Sequence, residues 1–387
     1  MERVHSKCAH SKHTGILTKA EIGYGGWAWL IISLCLINYQ ICMNGRMYEL
    51  FSLLVTESLQ CLKQYTILFF LLVNVVRWAI IYFASEQLSS SIVYGTISFC
   101  IAMESILGFS GVSGYIGVIL RYLSLTQLMK GISYILVRRE VAILGIDDQT
   151  IEKPKEEVSL LKFIILPTLC YQREYPVLPN ISRYNVLVYI LLLPPSALLT
   201  YYSLRVKCYS FGLKFWDEPS LDTYINIFLW SNLGWASGFI FVFIGIFGLL
   251  GELTRFGDQS FFEAWWNASV STYWRKWNSQ VHKWIKRHVH RALIKRNITT
   301  RSSRIIIFIV SGIVHEYIIG DVLNYRGIGF ITMASQVPLD TFIKFGMQWV
   351  KLNQEFAATV AFNVIGAPCL VLVSVMPKDF FKDAIKS

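Results

Sequence analysis

The sequence predicts an all-α, polytopic membrane protein with about nine transmembrane helices. Three observations lead there. Hydrophobic residues fill 54% of the 387 positions and aromatic residues 15%, whereas charged residues fill only 16%; a water-soluble chain uses about 25% to cover its surface. The mean hydropathy is +0.46. The apolar residues are also gathered into runs near the ~20 residues that carry a helix across a bilayer. Disorder and a disulfide-stapled scaffold are excluded, because both need a very different residue balance. The net charge of +11 implies an anionic neighbour, and for a chain this apolar that means headgroups or a charged substrate before nucleic acid.

Taken in order, residues 1–23 form a polar tail carrying Arg3, Lys7, Lys12 and Lys19, without the apolar core of a cleavable leader. The first span, about 26–43 (GWAWLIISLCLINYQICM), reads as a signal anchor. Others follow at about 66–84, 92–108, 110–137, 185–204, 224–250, 304–323, 327–349 and 357–377. The fourth carries Arg121 and Lys130, which a lipid-facing helix would not hold. Long hydrophilic connections fall at about 138–184 and 251–303, and such connections are where function concentrates. Basic residues crowd the tail and both connections, so the positive-inside rule places all three in the cytosol. Residues 24–377 then form one membrane domain, with 378–387 a lumenal tail. The eight cysteines form no CxxC pair and read as buried free thiols, and the first three of the seven histidines lie in the polar start without an ordered pattern, so no metal site is expected.

The second connection carries the chemistry. Trp274, Trp277, Val281, Trp284 and His288 recur at steps of three and four, with Arg275, Lys276, Lys283, Lys286 and Arg287 opposite. That is one helix with a Trp stripe and a basic back. Such a helix is expected to lie in the headgroup plane with its rings at the interface, where it would serve as an anchor. Asn278 and His282, four apart, stack on one edge of it. A paired amide and imidazole can grip a polar group or cap a neighbouring loop, and spacing leaves both open.

The seventh run, IIIFIVSGIVHEYIIGDVL, holds His315 and Glu316 near its middle. Ionisable groups at that depth cost several kcal/mol and usually face a cavity or a partner. A neutral imidazole there suits a general base for an alcohol. No GxSxG elbow, HExxH or Walker sequence is present, which disfavours a covalent intermediate or a zinc or nucleotide site. What remains is direct transfer, in which His315 deprotonates an acceptor hydroxyl that attacks an activated acyl group.

FGDQSFFEAWWN at 256–267 resembles the FGDxxFYxDWWN stretch of the membrane-bound O-acyltransferase family, in its sterol and diacylglycerol acyltransferase branch. WNSQVHKW at 277–284 resembles WNxxVHxW of that branch, and SGIVHEY at 311–317 its membrane-histidine segment. PTLCYQREYP at 167–176 and QVPL at 336–339 resemble two further motifs, in the expected order. The resemblance implies a ring of helices around an intramembrane reaction chamber, with His315 as catalytic base and Asn278 positioning or polarising the reacting atoms. Trp277 and His282 would line the chamber with Gln336 of the QVPL motif, and Glu316 would sit beside the acceptor. Trp265, Trp266 and Asn267 would belong to the acyl-CoA stretch, and Lys283, Lys286 and Arg287 would meet CoA phosphates. Phe262, Ala264 and Ala367 depart from the family pattern, where Tyr, Asp and often Gln stand.

The implied activity is transfer from fatty acyl-CoA, a co-substrate with no further cofactor, to 1,2-diacylglycerol. A sterol acceptor is the alternative, and a catalytically weak lipid-binding or transporter-like protein is a third reading. The family implies a dimer or tetramer in the endoplasmic reticulum membrane. The charge supports a localised role: between Glu263 and Glu316 there are ten Lys or Arg and no acid. That one block accounts for ten of the eleven units of net charge.

Overall fold

The computed structural model describes residues 34–39, 52, 56, 66–87, 89–108, 114–147, 157–258, 269–320, 323, 325–350 and 354–377. Three long helices come first: α1 (Thr66–Ser85), α2 (Ser90–Gly108) and α3 (Gly114–Asp147). A short α4 (Leu160–Ile165) leads to two rods, α5 (Arg183–Asp217) and α6 (Leu221–Leu253). The second connection holds α7 (Val270–Lys276) and α8 (Ser279–Ile285), the latter continued by a π-helical turn, Lys286–His290, and by Arg291–Lys295. Then come α9 (Thr300–Ile319), α10 (Ile328–Ala334) and α11 (Gln336–Val350). The last helix, α12, starts as Gln354–Thr359, passes a π-helical turn at Val360–Gly366 and ends as Ala367–Val375. Among the described residues the extended backbone makes one isolated antiparallel bridge, Val177 to Phe256.

Six helices among the described residues are long and apolar enough to cross a membrane: Ile67–Ser85, Ser90–Leu107, Arg183–Asp217, Leu221–Leu253, Thr300–Ile319 and Phe356–Val375. Each coincides with an expected span. The span at 26–43 lies outside the described residues except for 34–39, which are helical. From residue 114 onward the span at 110–137 falls within α3, whose Arg121 and Lys130 face the bundle and are buried; 110–113 lie outside the described residues. The span at 327–349 is divided between α10 and α11. Pro338 cannot donate to a carbonyl four residues earlier, so a continuous helix is interrupted just before it; α10 is preceded by its N-cap Gly327, whose φ of 89° suits a residue without Cβ.

α5 also runs well past its expected end at 204. Its continuation packs on α12, where the Trp216 indole N–H donates to the Leu372 carbonyl at 3.0 Å. Along its middle, small residues let α6 approach closely: Thr200 Oγ1 donates to Ser237 Oγ at 2.9 Å, and Gly234 leaves room for Leu204. Small residues and hydroxyls are the usual contact between helices in lipid.

The distribution of polarity is that of a chain dissolved in hydrocarbon. Leu68, Leu71, Val75 and Phe83 of α1 point outward, whereas Arg77, Arg121 and Glu104 are 0%, 1% and 4% exposed. Charged groups turn toward one another where no water can serve them. The loop after α4 is tied to the end of α6, because Leu178 N–H donates to Arg255 O (2.9 Å) and Gly257 N–H to Pro176 O (2.7 Å). That contact holds the second connection against the bundle.

The single helix expected over residues 274–288 is not what forms. The chain breaks at Asn278 (φ −131°, ψ 80°), whose Oδ1 accepts from Val281 N–H and starts α8. The Trp stripe is likewise turned into protein. Trp277 stacks on Trp235 with ring centroids 4.7 Å apart and touches Tyr273, Phe239 and Phe243. Trp284 donates to the Met129 carbonyl of α3 at 2.8 Å. Burying these rings between helices removes more apolar surface from water than a headgroup position would.

Candidate active site

One large cavity, of about 2130 Å³, opens among α3, α6, α7, α8, α9 and α11. Drug-sized sites occupy roughly 300–1,000 Å³, so this one has room for two long-chain molecules together. His315, Asn278, His282, Trp277, Gln336, Glu316 and Lys286 all line it.

His315 lies on α9, and its Nδ1 is 2.7 Å from the Ser311 carbonyl oxygen. A carbonyl only accepts, so Nδ1 carries the proton and the neutral ring keeps its lone pair on Nε2. Ser311 is the residue one helical turn earlier, and the tautomer is therefore set by the helix itself. Asn278 is similarly oriented. Its Oδ1 is taken by the Val281 N–H at 3.2 Å, which leaves the Nδ2 hydrogens as the donating end.

His282 sits in the α8 segment beside the cavity. Burial lowers its pKa, and Lys286, Arg275 and His290 push in the same direction. It is neutral near pH 7. Gln336 is held at both ends: its Nε2 donates to Thr332 O at 2.8 Å, and its Oε1 accepts from Trp274 Nε1 at 3.3 Å. Trp274, in turn, packs edge-on against Phe308 of α9. The QVPL segment and the Trp stripe thus meet at the cavity wall.

Glu316 follows His315 in sequence but serves a different neighbour. Its Oε1 accepts from Gly327 N–H at 2.8 Å and its Oε2 from Phe330 N–H at 3.3 Å. The carboxylate caps the start of α10 and closes the α9–α10 hairpin. Gly312 permits that hairpin, since a Cβ there would lie 2.9 Å from the Phe330 ring and 3.0 Å from its carbonyl.

Of the three cations expected at CoA phosphates, only Lys286 reaches the cavity wall. Lys283 pairs with Asp258 at 3.2 Å, and Arg287 donates to the Tyr171 carbonyl at 3.0 Å. Both clip the connection to the bundle. Sequence reasoning missed Arg275, Arg301 and Arg304, which line the cavity with Lys286, His282 and His290. Arg301 and Arg304 stand one turn apart at the start of an apolar run, a signal present in the sequence. His290 Nδ1 lies 2.8 Å from Ser303 Oγ, which brings the two basic groups to one end of the cavity. Trp265, Trp266 and Asn267, with Phe262 and Ala264, lie outside the described residues. Among the described residues no group of His, Cys, Asp and Glu has the arrangement of a metal site.

Two further anchors hold the wall. The Lys130 ammonium donates to the Phe163, Ile164 and Leu166 carbonyls at 3.1, 2.7 and 2.6 Å, which closes the end of α4. Ser133 Oγ accepts from Tyr171 N–H at 2.8 Å, so its own proton is left for His288 Nε2, also 2.8 Å away. Burial, aided by Arg287, brings the His288 pKa down to about 3.

Comparison with known proteins gives a consistent picture. The model of the membrane-bound O-acyltransferase family matches residues 24–374. Diacylglycerol O-acyltransferase 1 of Chlorocebus aethiops is 29% identical over 235 residues, covering 56% of this chain and 45% of that protein. The Homo sapiens protein of the same name is 29% identical over 235 residues, covering 56% and 46%. Diacylglycerol O-acyltransferase 1C of Glycine max is 32% identical over 189 residues, covering 47% and 37%. The chain spans about half the length of these curated relatives, or less.

Proposed function

The chain belongs to the membrane-bound O-acyltransferase family, and from that premise we propose that it transfers a fatty acyl group from acyl-CoA to the free hydroxyl of 1,2-diacylglycerol. The products are triacylglycerol and CoA. The observation that carries the reading is His315, a cavity-lining imidazole whose Nδ1–H is committed to Ser311 O and whose Nε2 therefore keeps its lone pair.

In this reading Nε2 of His315 removes the hydroxyl proton as the oxygen attacks the thioester carbonyl. The Asn278 Nδ2 hydrogens donate to the carbonyl oxygen as it gains negative charge. The C–S bond then breaks, and the imidazolium returns its proton to the departing thiolate, so that neither proton nor charge is left over. Arg275, Lys286, Arg301 and Arg304 receive the phosphates of CoA at one end of the cavity. The diacylglycerol acceptor is favoured over a sterol by the names of the three relatives. The reading includes residence in the endoplasmic reticulum membrane with a cytosolic N-terminus, which would put the basic block on the side of the CoA thioesters.

The test is transfer of labelled oleoyl-CoA by purified protein to diacylglycerol, cholesterol and a long-chain alcohol in parallel. Triacylglycerol should dominate, and His315→Ala should abolish it with the protein still folded. Sterol ester as the main product would overturn the acceptor; normal turnover by His315→Ala would overturn the mechanism.

A further inference from the structure

Helix α9 carries His315, yet only Ser303 and Gly312 of its 20 residues are buried. The cavity replaces neighbouring side chains along much of its length, so the packing that fixes its rotation, the close Gly312–Phe330 contact with α10, acts chiefly on one side. A few degrees of rotation would re-aim the imidazole. Something directional must hold it.

Against the C-terminal half of α9 lies a polar cluster contributed by three other helices. Glu104 of α2 forms an ion pair with Arg77 of α1 through Oε2, which also accepts from Ser124 Oγ of α3 at 2.8 Å. Arg77 Nη1 donates in addition to Ser124 O at 3.0 Å and to Asn74 Oδ1 at 3.2 Å. The other carboxylate oxygen, Oε1, accepts from the Tyr317 hydroxyl of α9 at 2.6 Å. Arg121 of α3 donates from Nε to the carbonyl of Ile318 at 3.3 Å. Two consecutive residues of α9 are thereby gripped, two and three positions after His315.

Burying an ion pair among apolar helices is a poor way to gain stability, since apolar side chains of similar volume would serve as well. What they cannot supply is direction, because a hydrogen bond constrains angle as well as distance. Residues two apart on a helix point about 200° from one another. Tyr317 and Glu104 themselves reach the cavity wall, so fixing the Tyr317 hydroxyl on Glu104 fixes the angle at which His315 meets the cavity. We propose that Glu104, held and oriented by Arg77 and Ser124, is a positioning residue that sets the rotation of α9 through Tyr317 and so aims His315. The proposal rests on the acyl-transfer reading for its kinetic consequence and on geometry alone for its structural one.

Tyr317→Phe removes one hydroxyl and keeps the ring. Its kcat should fall about tenfold, less than the 10²-fold expected for a 1 Å misplacement, with the KM for oleoyl-CoA within about twofold of wild type. The rate at which diethyl pyrocarbonate modifies His315, read by peptide mass spectrometry, should change in the same variant whether or not the protein turns over. The double variant Arg77→Met/Glu104→Leu, which exchanges the ion pair for apolar packing, should reproduce both effects. Wild-type kcat and a wild-type modification rate in Tyr317→Phe would overturn the proposal, as would a lowered unfolding midpoint with an unchanged modification rate. A wild-type protein that transfers to none of the acceptors, while modification still differs in Tyr317→Phe, would remove the acyl-transfer reading and leave the positioning role standing.

Discussion

Glu316 offers the sharpest separation between an acceptor-binding group and a structural one. Replacing it with Ala leaves the Gly327 and Phe330 N–H groups, now bonded at 2.8 and 3.3 Å, without an acceptor. A hydrogen bond to a charged partner contributes about 1.5–3 kcal/mol, and the longer contact counts for about half of that on distance grounds. The expected loss is therefore roughly 2–4 kcal/mol. Glu316→Gln keeps one acceptor oxygen for Gly327 but turns an NH₂ group toward Phe330, so it should lose about half as much. The assay is the unfolding midpoint of purified protein in detergent at one fixed scan rate, with the KM for diacylglycerol measured alongside. Midpoints should fall in the order wild type, Gln, Ala, and the KM should stay at its wild-type value while the maximal rate follows the folded fraction. An unchanged midpoint in Glu316→Ala, paired with a raised acceptor KM, would refute the capping argument and return Glu316 to the acceptor.

The basic end of the cavity makes a second distinction. Glutamine at Lys286, Arg301 or Arg304 should raise the KM for oleoyl-CoA several-fold, with the acceptor KM unchanged, and should flatten its rise with added salt. Glutamine at Lys283 should leave that KM alone, because its charge is engaged with Asp258. For His288 the sign follows from a folded pKa of about 3 against an ordinary value of 6.5. The unfolded chain binds the extra proton between those values, so the contribution is complete above pH 6.5. It is lost as pH falls, by up to about 1.4 kcal/mol per pH unit. Unfolding midpoints between pH 7 and 4.5 should show that slope, and His288→Asn should reduce it.

The sequence alone determined the spans and the chemical vocabulary. Hydrophobicity is a local property, and a bilayer demands it over some 20 consecutive residues, so six spans were legible as uninterrupted runs. His315 was legible for the same reason, as an imidazole in an apolar run. Asn278, His282 and Gln336 stood out as polar groups in motifs of fixed spacing. The sequence did not determine which partner each polar group takes. Glu316, adjacent to His315, turns to α10, and Lys283 and Arg287 turn to Asp258 and Tyr171 while Lys286 faces the cavity. The Trp stripe looked interfacial until the break at Asn278 divided its helix and the bundle enclosed its rings. Glu104 and Tyr317 are 213 residues apart, and no periodicity connects them. Hydrogen-bond partners are chosen by where distant helices come to lie, and burial then makes each choice binding, since an unpaired polar group in hydrocarbon costs several kcal/mol. Composition could therefore place this chain in a membrane, whereas only the packed bundle decided which way its histidine looks.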